Sequence, residues 1–395
     1  MPDRSHFQRL RPIVSALAAR GVPVSVFTDQ QFQADVELAG GTFVDLFTRY
    51  SLESADAESM PMPSRLVTYA GKYADQIATE LRAVDASLVL HDTFAVVGWV
   101  AADLADIPRV NVCSGHNVEP ARFLKLLETD PRVKLAPRCL AAVDRLRNEL
   151  GVRDASPFSY VAGLSRDLNI YAEPPEFLDV DDRHAFEPLA FFGSIVDESR
   201  DGTDEPLFPS AGGRSVKVYV SFGTVVWRYF TEPALRALRA IADWFATLPE
   251  ADVLISLGGA AISADDANAL SRANVRVEAT VDQWRVLAEC DAFVTHQGLN
   301  STHEAIFHRV PMISYPFFWD QPALAARCAR FGIAVPLGDA PRAELAPADV
   351  GTAWARFQRE QPAMHAALEV ARSWELAVMA QRPAVIDRVR SLCLK

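Results

Sequence analysis

The alternation of strand-like and helix-like segments restricts the fold of this sequence more than any other feature. In the first helix, apolar residues recur at the spacing of one helix face: Leu10, Ile13, Val14, Leu17 and Ala18. Gly21 then ends the helix, and residues 24–28 form the first predicted strand. Such an alternation predicts parallel sheets covered by helices, and therefore an α/β protein.

The same alternation continues through the chain. A buried strand is predicted at residues 87–92, and it ends in Asp92. Because ligands of open α/β sheets bind at the carboxyl ends of the strands, Asp92 is expected at a binding edge. The pattern restarts at a strand at residues 216–221, which a helix at 232–247 follows. The sequence therefore predicts two Rossmann-like domains that face each other across a cleft.

An acidic stretch rich in Gly and Pro separates the two halves. It shows no helix or strand periodicity, which is typical of a solvated linker. A chain of 395 residues is also longer than one ordinary domain. We therefore predict a first domain at residues 1–200, a linker at 201–214, a second domain at 215–370 and a closing helix at 371–395.

The N-terminal domain lacks one expected element. A doubly wound domain usually begins with its central strand, but residues 1–5 contain no apolar run before the first helix. Either the start codon lies downstream of the natural one, or the sheet has no first strand; we favour the former. In both cases a sheet edge would be left unpaired.

Composition restricts the partners of the protein. A net charge of −12 and a pI near 5.2 argue against broad contact with nucleic acid or anionic lipid, since both require a basic surface. The cysteines are scattered without C-x-x-C spacing, which predicts reduced thiols and no metal site: Cys113, Cys139, Cys290, Cys328 and Cys393. The sequence has no run of about 20 apolar residues and no signal peptide, so we expect no transmembrane segment and a cytoplasmic location.

Residues 293–304 carry the clearest chemical signal. A hydrophobic strand runs to His296, and the turn after it contains Gly298 and Asn300 before a helix begins. Such a turn directs backbone N–H groups and the positive end of the helix towards an anion. A diphosphate would suit this position. A second strand, at residues 216–221, ends in a small-residue loop in which Thr224 could donate to a phosphate oxygen.

Two pairs of polar residues in this half of the chain also have a purely structural interpretation as helix caps. Ser301 and Glu304 have the spacing of a capping box, and Asp320 precedes Gln321 and a proline as an acidic helix cap would. A side chain that caps a helix can also face a ligand, so the two interpretations are compatible. Neither a G-x-G-x-x-G nor a Walker motif is present, which disfavours a dehydrogenase or a P-loop NTPase.

Taken in order, residues 221–224, 295–304, 310–312 and 320–321 resemble the donor-binding signature of UDP-dependent glycosyltransferases of the GT-B fold. This family acts on plant metabolites, macrolides and other small acceptors. His6 before the first helix and Asp92 at a strand end are placed as that family places its catalytic pair. The resemblance covers nearly the whole chain. It also implies that the helix at 371–395 packs back on the first domain, as the last helix of this fold often does.

The resemblance implies a role for each motif residue. The phosphates would be bound by Thr224, His296, Asn300 and Ser301, with Gly298 in the same loop. Glu304 would accept from the ribose hydroxyls, and Asp320 and Gln321 would hold the transferred sugar. Gln283 is retained from the segment that binds the base. No cofactor and no metal are implied, because the nucleotide sugar is itself a substrate.

The implied reaction is an inverting transfer of a hexose, most simply glucose from UDP-glucose, to a hydroxyl of a small and largely apolar natural product. His6 would act as general base and Asp92 would orient its imidazole. The acceptor pocket is expected near Phe94, His116 and Phe123. Apolar residues in such positions are more often part of the core. For His116, a turn-forming role in its loop is equally compatible with the sequence.

Two departures from the family pattern weaken the expectation. Thr280 stands where the family usually has a Trp that stacks on uracil, and Asp282 replaces the Pro of that motif. Trp284 could substitute for the missing aromatic, although a core position is favoured for it. Arg309 replaces the usual Gly before Val-Pro-Met. The alternative is therefore a catalytically silent GT-B homologue that acts as partner or activator of another enzyme. The acceptor, the nucleotide base, the sugar, the linkage type and the oligomeric state are left open.

Overall fold

The computed structural model describes residues 4–51, 53, 64–113, 115–116, 119–129, 135–161, 163–195, 207–208 and 216–394. The chain forms two compact units, one from Met1–Asp197 with Val378–Lys395 and the other from Glu198–Ala377. The linker predicted at residues 201–214 lies outside the described residues except for 207 and 208. Its boundaries stay a prediction.

The first unit is built on parallel strands. A four-stranded sheet has the order β3-β4-β5-β6, and a separate two-stranded sheet pairs β1 with β2. The strands are β1 (Ser25–Thr28), β2 (Thr42–Asp45), β3 (Val89–Asp92), β4 (Arg109–Cys113), β5 (Leu168–Tyr171) and β6 (Leu189–Phe191). The α-helices are α1 (Arg4–Ala18), α2 (Gln33–Leu38), α3 (Leu46–Arg49), α4 (Arg65–Ala83), α5 (Val96–Ala105), α6 (Pro120–Thr129) and α7 (Pro137–Asn148). Short 3-10 helices occupy Gln30–Phe32, Ser159–Val161, Pro175–Phe177 and Val180–Phe186.

The two sheets of this unit are not joined by a strand within the described residues. There, β1 pairs only with β2, and β3 pairs only with β4. Strand β3 is therefore an edge strand, and it carries Asp92 at its carboxyl end. The described residues begin with α1 at Arg4, so the structure does not test the predicted lack of a strand before it.

The second unit contains a six-stranded parallel sheet in the order β12-β11-β10-β7-β8-β9. Its strands are β7 (Val216–Ser221), β8 (Ala251–Ser256), β9 (Val275–Glu278), β10 (Ala292–Thr295), β11 (Met312–Ser314) and β12 (Ala334–Pro336). Its helices are α8 (Val226–Tyr229), α9 (Thr231–Phe245), α10 (Ala264–Leu270), α11 (Gln283–Glu289), α12 (Leu299–His308) and α13 (Gln321–Arg330). The order reverses beside the central strand β7, which is where α/β sheets place their ligands.

Each sheet is covered by apolar helix faces. In the second unit, Val218, Val220 and Ile255 pack with Leu238 and Ile241 of α9 in one buried cluster. In the first unit, a buried cluster includes strand residues Val110, Val112 and Ile170 together with Ile13 and Leu17 of α1. The periodic positions of the first helix are therefore core positions.

Helix α14 (Pro347–Leu392) is longer than the sequence pattern predicted. We expected a helix from residue 371, but it begins at Pro347. Its early turns are ordered by burial of Trp354 and Phe357 in the core of the second unit. Its last turns carry Val385, Ile386 and Val389 into the core of the first unit, so that one helix serves both cores.

Candidate active site

The first unit brings His6 and Asp92 together although they are 86 residues apart. His6 lies on α1 and Asp92 ends β3, and the His6 Nδ1 atom lies 2.7 Å from Oδ2 of Asp92. The other carboxylate oxygen accepts from the backbone N–H of Phe94 at 2.8 Å. The Phe94 ring meets the imidazole edge-on, with ring centroids 5.1 Å apart. Both members of the pair are buried.

The pair has a defined electrostatic state. Burial opposes the charged form of Asp92, but the charge and hydrogen bond of His6 outweigh it and hold the pKa of this carboxyl well below its usual range. An ionised Asp92 accepts a hydrogen bond and cannot donate one. In the neutral imidazole of His6, the proton therefore lies on Nδ1, and Nε2 is the atom that can take up a proton.

His91, next to Asp92 on β3, has a different role. It is buried, and its Nδ1 atom lies 3.1 Å from the carbonyl oxygen of Asp92 while Arg109 Nη1 approaches Nε2 at 3.3 Å. Burial, together with the Arg109 charge, lowers the pKa of His91 to about 3. This histidine is neutral and acts as a packing residue.

The predicted acceptor residues occupy different environments. Phe94 contacts His6, whereas Phe123 is half-buried on α6. His116 is buried, and its Nδ1 atom lies 3.0 Å from Oε2 of the fully buried Glu173. Sequence reasoning missed Glu173, since it lies 57 residues away and belongs to no motif. The acceptor roles of these three residues stay predictions.

In the second unit, two loops that leave adjacent strands enclose the ring of His296. Strands β7 and β10 pair so that Ser221 lies opposite Thr295, and the two loops therefore leave the sheet side by side. A Cβ atom at Gly223 would lie 2.7 Å from the His296 ring, and one at Gly298 would lie 2.3 Å from its Nε2. Only glycine at both positions leaves room for the imidazole.

His296 is neutral at physiological pH. Burial lowers its pKa to about 4, and the Ser221 carbonyl acts in the opposite direction with a smaller effect. Its Nδ1 atom has no hydrogen-bond partner among the described residues. A buried imidazole with an unused nitrogen is suited to hydrogen-bond a ligand. Thr224, the other predicted phosphate ligand, is exposed in the loop after β7.

The capping-box interpretation of Ser301 and Glu304 is wrong. Helix α12 begins at Leu299, and its N-cap is Gly298, which offers no side-chain acceptor. Ser301 is the third residue of the helix and Asn300 the second, so neither is the cap. Because no side chain caps α12, its first turn retains the character of an anion-binding helix terminus.

Ser301 and Glu304 are instead linked through Gln283 at the start of α11. The Gln283 amide nitrogen donates to Glu304 Oε2 at 2.7 Å and lies 3.1 Å from Ser301 Oγ. Three predicted donor-binding residues from two helices therefore form one polar cluster. Within it, the Gln283 amide orients the Glu304 side chain.

The two departures from the family pattern have clear structural consequences. Asp282 is the N-cap of α11 and accepts from the backbone of Arg285, while Thr280 is exposed. Trp284 is buried against Phe307, with ring centroids 5.1 Å apart, so it is a core residue. Arg309 ends α12 in the left-handed conformation, at φ 61°, where glycine is the commoner choice.

Asp320 and Gln321 open α13, but the expected acidic cap is wrong in one respect. Asp320 holds the N-cap position, yet its side chain makes no capping hydrogen bond. The Gln321 side chain is buried and its Oε1 accepts from the backbone N–H groups of Phe317 at 2.9 Å and Phe318 at 3.3 Å. Because its oxygen is used in this way, the Gln321 amide retains its N–H groups as the donors of this side chain.

The described residues offer neither a metal-binding cluster nor a membrane-spanning helix. No group of three or more His, Cys, Asp or Glu side chains in the described ranges could hold a metal ion. Among the helices that the structure describes, none combines the length and the apolar character needed to cross a membrane.

Known glycosyltransferases are similar to this chain in sequence and in fold. Residues 179–359 match the family model UDPGT, described as UDP-glucoronosyl and UDP-glucosyl transferase. The NDP-glycosyltransferase YjiC of Bacillus subtilis (strain 168) is 23% identical over 352 residues, which are 85% of this chain and 82% of that protein. The glycotransferase of kitacinnamycin superposes with a TM-score of 0.77 at 23% identity, covering 99% of this chain and 97% of that one. Spinosyn rhamnosyltransferase SpnG, complexed with thymidine diphosphate, gives a TM-score of 0.64 at 19% identity and 98% coverage of both chains.

Proposed function

We propose that this chain, which has the GT-B fold and resembles the UDP-glycosyltransferases, moves a hexose from a nucleotide sugar to a hydroxyl of a small, largely apolar acceptor. Glucose from UDP-glucose is the donor we test first. The observation that carries the proposal is the buried 2.7 Å hydrogen bond between His6 and Asp92. A solvent-exposed histidine would not be fixed by a buried carboxylate in the tautomer that carries its proton on Nδ1.

The donor is proposed to bind on the second unit. Its diphosphate would accept hydrogen bonds from His296, Thr224 and the first turn of α12, where the helix dipole also favours negative charge. Glu304, oriented by Gln283, would accept from the ribose hydroxyls. Asp320 would accept from sugar hydroxyls while the Gln321 amide donates to them.

The reaction is proposed to be a single displacement. His6 Nε2 takes the proton of the acceptor hydroxyl as the oxygen forms a bond to the anomeric carbon. The bond from that carbon to the β-phosphate oxygen breaks, and its electron pair leaves with the nucleoside diphosphate. An α-linked donor would therefore give a β-glycoside. Asp92 stabilises the imidazolium that forms on His6.

The leaving diphosphate gains negative charge as the glycosidic bond breaks. The N-terminus of α12 and neutral donors around it are proposed to stabilise that charge without a metal ion. Neutral His296, whose pKa burial lowers to about 4, would donate to the diphosphate in the tautomer that carries its one proton on Nδ1, and in that tautomer it gives up the hydrogen bond to the Ser221 carbonyl. No cofactor is required beyond the nucleotide sugar.

A thymidine nucleotide is the second candidate donor. Thr280 and Asp282 replace the stacking Trp and the Pro of the usual uracil-binding segment, and Trp284 is buried in the core. The similar protein SpnG is described in complex with thymidine diphosphate. Titration with UDP and with thymidine diphosphate in parallel would distinguish the two donors.

The proposed function is tested by the formation of a glycoside product. Wild type, His6→Ala and Asp92→Asn would be incubated with UDP-glucose and with thymidine diphosphoglucose, each with and without a panel of phenols and alcohols, and products would be followed by mass spectrometry. We expect a glycoside product in wild type and a kcat reduced by about 10²- to 10⁴-fold in both variants, since general-base catalysis contributes factors of this size.

Two results would count against the proposal. Equal turnover by His6→Ala and wild type would remove the base assignment. Nucleotide binding without any product across the panel would instead favour the catalytically silent homologue that partners another enzyme. His91→Asn is the matched control: it is a buried histidine on the same strand outside the proposed machinery, and we expect it to affect stability more than kcat.

A further inference from the structure

We propose that Gln297 is a positioning residue that fixes the donor-binding loop of the second unit, an inference that rests on the proposed function. Gln297 lies between His296 and Gly298, and nothing in the donor-binding signature gives it a role. Its side chain is fully buried. It therefore acts through its neighbours and does not touch the donor.

The backbone of Gln297 makes the turn from β10 into α12. Its φ is +61°, in the left-handed region that residues with side chains rarely adopt. This conformation directs Gly298 back against the ring of His296, where a Cβ atom would be only 2.3 Å from Nε2. The Gln297 N–H donates to Thr295 Oγ1 at 3.1 Å, which ties the turn to the end of the strand.

The side chain of Gln297 holds this turn from the inside. Its Oε1 accepts from Ser314 Oγ at 2.6 Å, which connects the loop to β11. Its Nε2 donates to Thr302 Oγ1 at 3.1 Å, and the Thr302 hydroxyl in turn donates to the carbonyl of Gly298 at 2.9 Å. The amide therefore bonds back, through Thr302, to the N-cap of the helix that it precedes.

The same amide also reaches α13, the helix that begins with Gln321. The Gln297 Nε2 atom lies 3.4 Å from Cys328 Sγ and 3.2 Å from Met312 Sδ. One side chain thus contacts β11, α12 and α13. The proposed phosphate ligands precede or begin α12, and the proposed sugar ligands begin α13. Gln297 is the described residue whose hydrogen bonds connect these two parts of the donor site.

The consequence is pre-organisation of the loop before the donor binds. Without the hydrogen bonds of the Gln297 side chain, the loop must still make a left-handed turn, but it is no longer held in a single conformation. If the conformation that can bind the donor makes up only about one tenth of the population, the apparent affinity for the donor falls about tenfold. Once the donor is bound, the chemistry at His6 is unaffected, so kcat at saturation should change little.

The test compares three variants with wild type. Gln297→Gly removes the network but allows the positive φ, and Gln297→Asn keeps an amide that is one methylene shorter. The control is Asn274→Ala, which removes a buried amide bonded to Phe245, Leu248 and Ala251 before the amino end of β9, away from the donor loops. Titration calorimetry with UDP, the KM for UDP-glucose, kcat and the melting temperature would be measured for each protein.

We expect Gln297→Gly to raise both the Kd for UDP and the KM for UDP-glucose about tenfold while kcat stays within about threefold of wild type. Gln297→Asn should recover part of the affinity, and Asn274→Ala should lower the melting temperature with the Kd unchanged. If Gln297→Gly does not fold, the double variant Thr302→Val with Ser314→Ala, which removes two partners of the amide, should still weaken UDP binding.

Three outcomes would overturn the inference. One is a wild-type Kd for UDP in Gln297→Gly, or in the double variant if that is the one that folds. The second is an equal loss of affinity in Asn274→Ala, because it would mean that any loosening of this unit has the same effect. The third is a fall in kcat without a rise in KM. These results leave UDP binding by wild type intact, whereas a wild type that binds neither UDP nor thymidine diphosphate would remove the proposed function as well.

Discussion

Three buried histidines of this protein are set to different tasks by their immediate partners. His6 faces the ionised carboxylate of Asp92, which suits it to accept a proton on its other nitrogen. His91 faces the guanidinium of Arg109, which favours the neutral imidazole. His296 lies between two glycines, and burial alone keeps it neutral. The same side chain is therefore proposed as a base in His6 and as a ligand of the donor phosphates in His296, and it packs in the core in His91, according to what lies beside it.

Glu304 provides a residue-scale test of the proposed donor site. If its carboxylate accepts from the ribose hydroxyls, wild type should bind UDP more tightly than 2′-deoxy-UDP, and Glu304→Ala should remove most of this preference. We expect a loss of about tenfold in UDP affinity, the effect of one hydrogen bond to a charged group. Calorimetric titration of both nucleotides measures it. A preference for UDP that survives in Glu304→Ala would place the ribose elsewhere.

At the scale of elements, the donor site depends on how closely the loops after β7 and β10 approach each other. Gly298 has an ordinary φ of −69°, so a side chain there would strain no backbone. The restriction comes only from the His296 ring, which a Cβ atom would meet at 2.3 Å. Gly223 is restricted twice, by the same ring and by its φ of +69°. The loops therefore need glycine for different physical reasons.

Gly298→Ala should displace the His296 ring and weaken UDP binding by about tenfold or more, since one misplaced ligand costs at least one charge-assisted hydrogen bond. The measurement is the Kd for UDP together with the melting temperature. Gly151→Ala is the control, because no atom lies within 4 Å of a Cβ added at Gly151; its φ of +75° adds a backbone strain that Gly298→Ala does not have, so a change in UDP affinity specific to Gly298→Ala reports on the ring. Unchanged UDP affinity in Gly298→Ala would show that the ring position does not matter for the donor.

A second element-scale feature connects α12 to α14. His303 Nδ1 lies 2.5 Å from Glu375 Oε1, and both side chains are completely buried. Breaking a buried pair by removing one partner leaves an uncompensated polar group, whereas replacing both by apolar residues is often neutral. This pair therefore fixes where α14 packs on the helix that carries Ser301 and Glu304.

We expect Glu375→Ala to reduce the free energy of unfolding by about 3–5 kcal/mol, and the double variant His303→Leu with Glu375→Leu to recover most of that loss. Urea unfolding followed by tryptophan fluorescence measures both. The control on the same helix is Glu360→Ala, which breaks an exposed pair with Arg356 and should change stability by less than about 1 kcal/mol. A double variant as unstable as the single one would contradict this account.

At the scale of the whole molecule, acid should destabilise both units through histidines that stay neutral when folded. Burial lowers the pKa of His91 to about 3 in the first unit and that of His296 to about 4 in the second, both from 6.5. Because the folded values lie below the unfolded value, the unfolded chain takes up these protons first. The stability that depends on these neutral histidines is therefore fully present above about pH 6.5 and falls as the pH drops towards 4. Asp92, whose pKa is depressed, adds a further loss only below its unfolded value of 3.8.

Between pH 7.5 and pH 5, each of these two histidines should remove about 2 kcal/mol of stability. His296→Gln should therefore lose about 2 kcal/mol less than wild type over this interval, measured by urea unfolding at the two pH values. His365→Gln, which replaces a histidine exposed on α14, is the control and should follow wild type. Equal losses in His296→Gln and wild type would mean that His296 is not shielded from protons.

Local spacing in the sequence was enough to predict the α/β class, and the resemblance of the motifs to UDP-dependent glycosyltransferases implied the GT-B fold, which the similar solved structures confirm. The strand at 216–221 has the predicted bounds, and the helix predicted at 232–247 occupies Thr231–Phe245. These elements are set by side-chain periodicity and by Gly and Pro, which act over a few residues. Gly223, with a φ of +69°, is restricted locally by its turn, whereas Gly298 has an ordinary φ and is restricted by the His296 ring.

Only the tertiary structure decided which side chains meet. The His6–Asp92 pair was implied by the resemblance, but the partners Glu173 of His116 and Glu375 of His303 lie 57 and 72 residues away, and pairing over such distances depends on how helices and strands pack. Packing also lengthened α14 and turned the expected capping box into a cluster around Gln283. The sequence determined the order of the elements and the chemistry they carry. Burial against distant segments determined the protonation, orientation and partners of that chemistry, since those depend on contacts that no short stretch of chain contains.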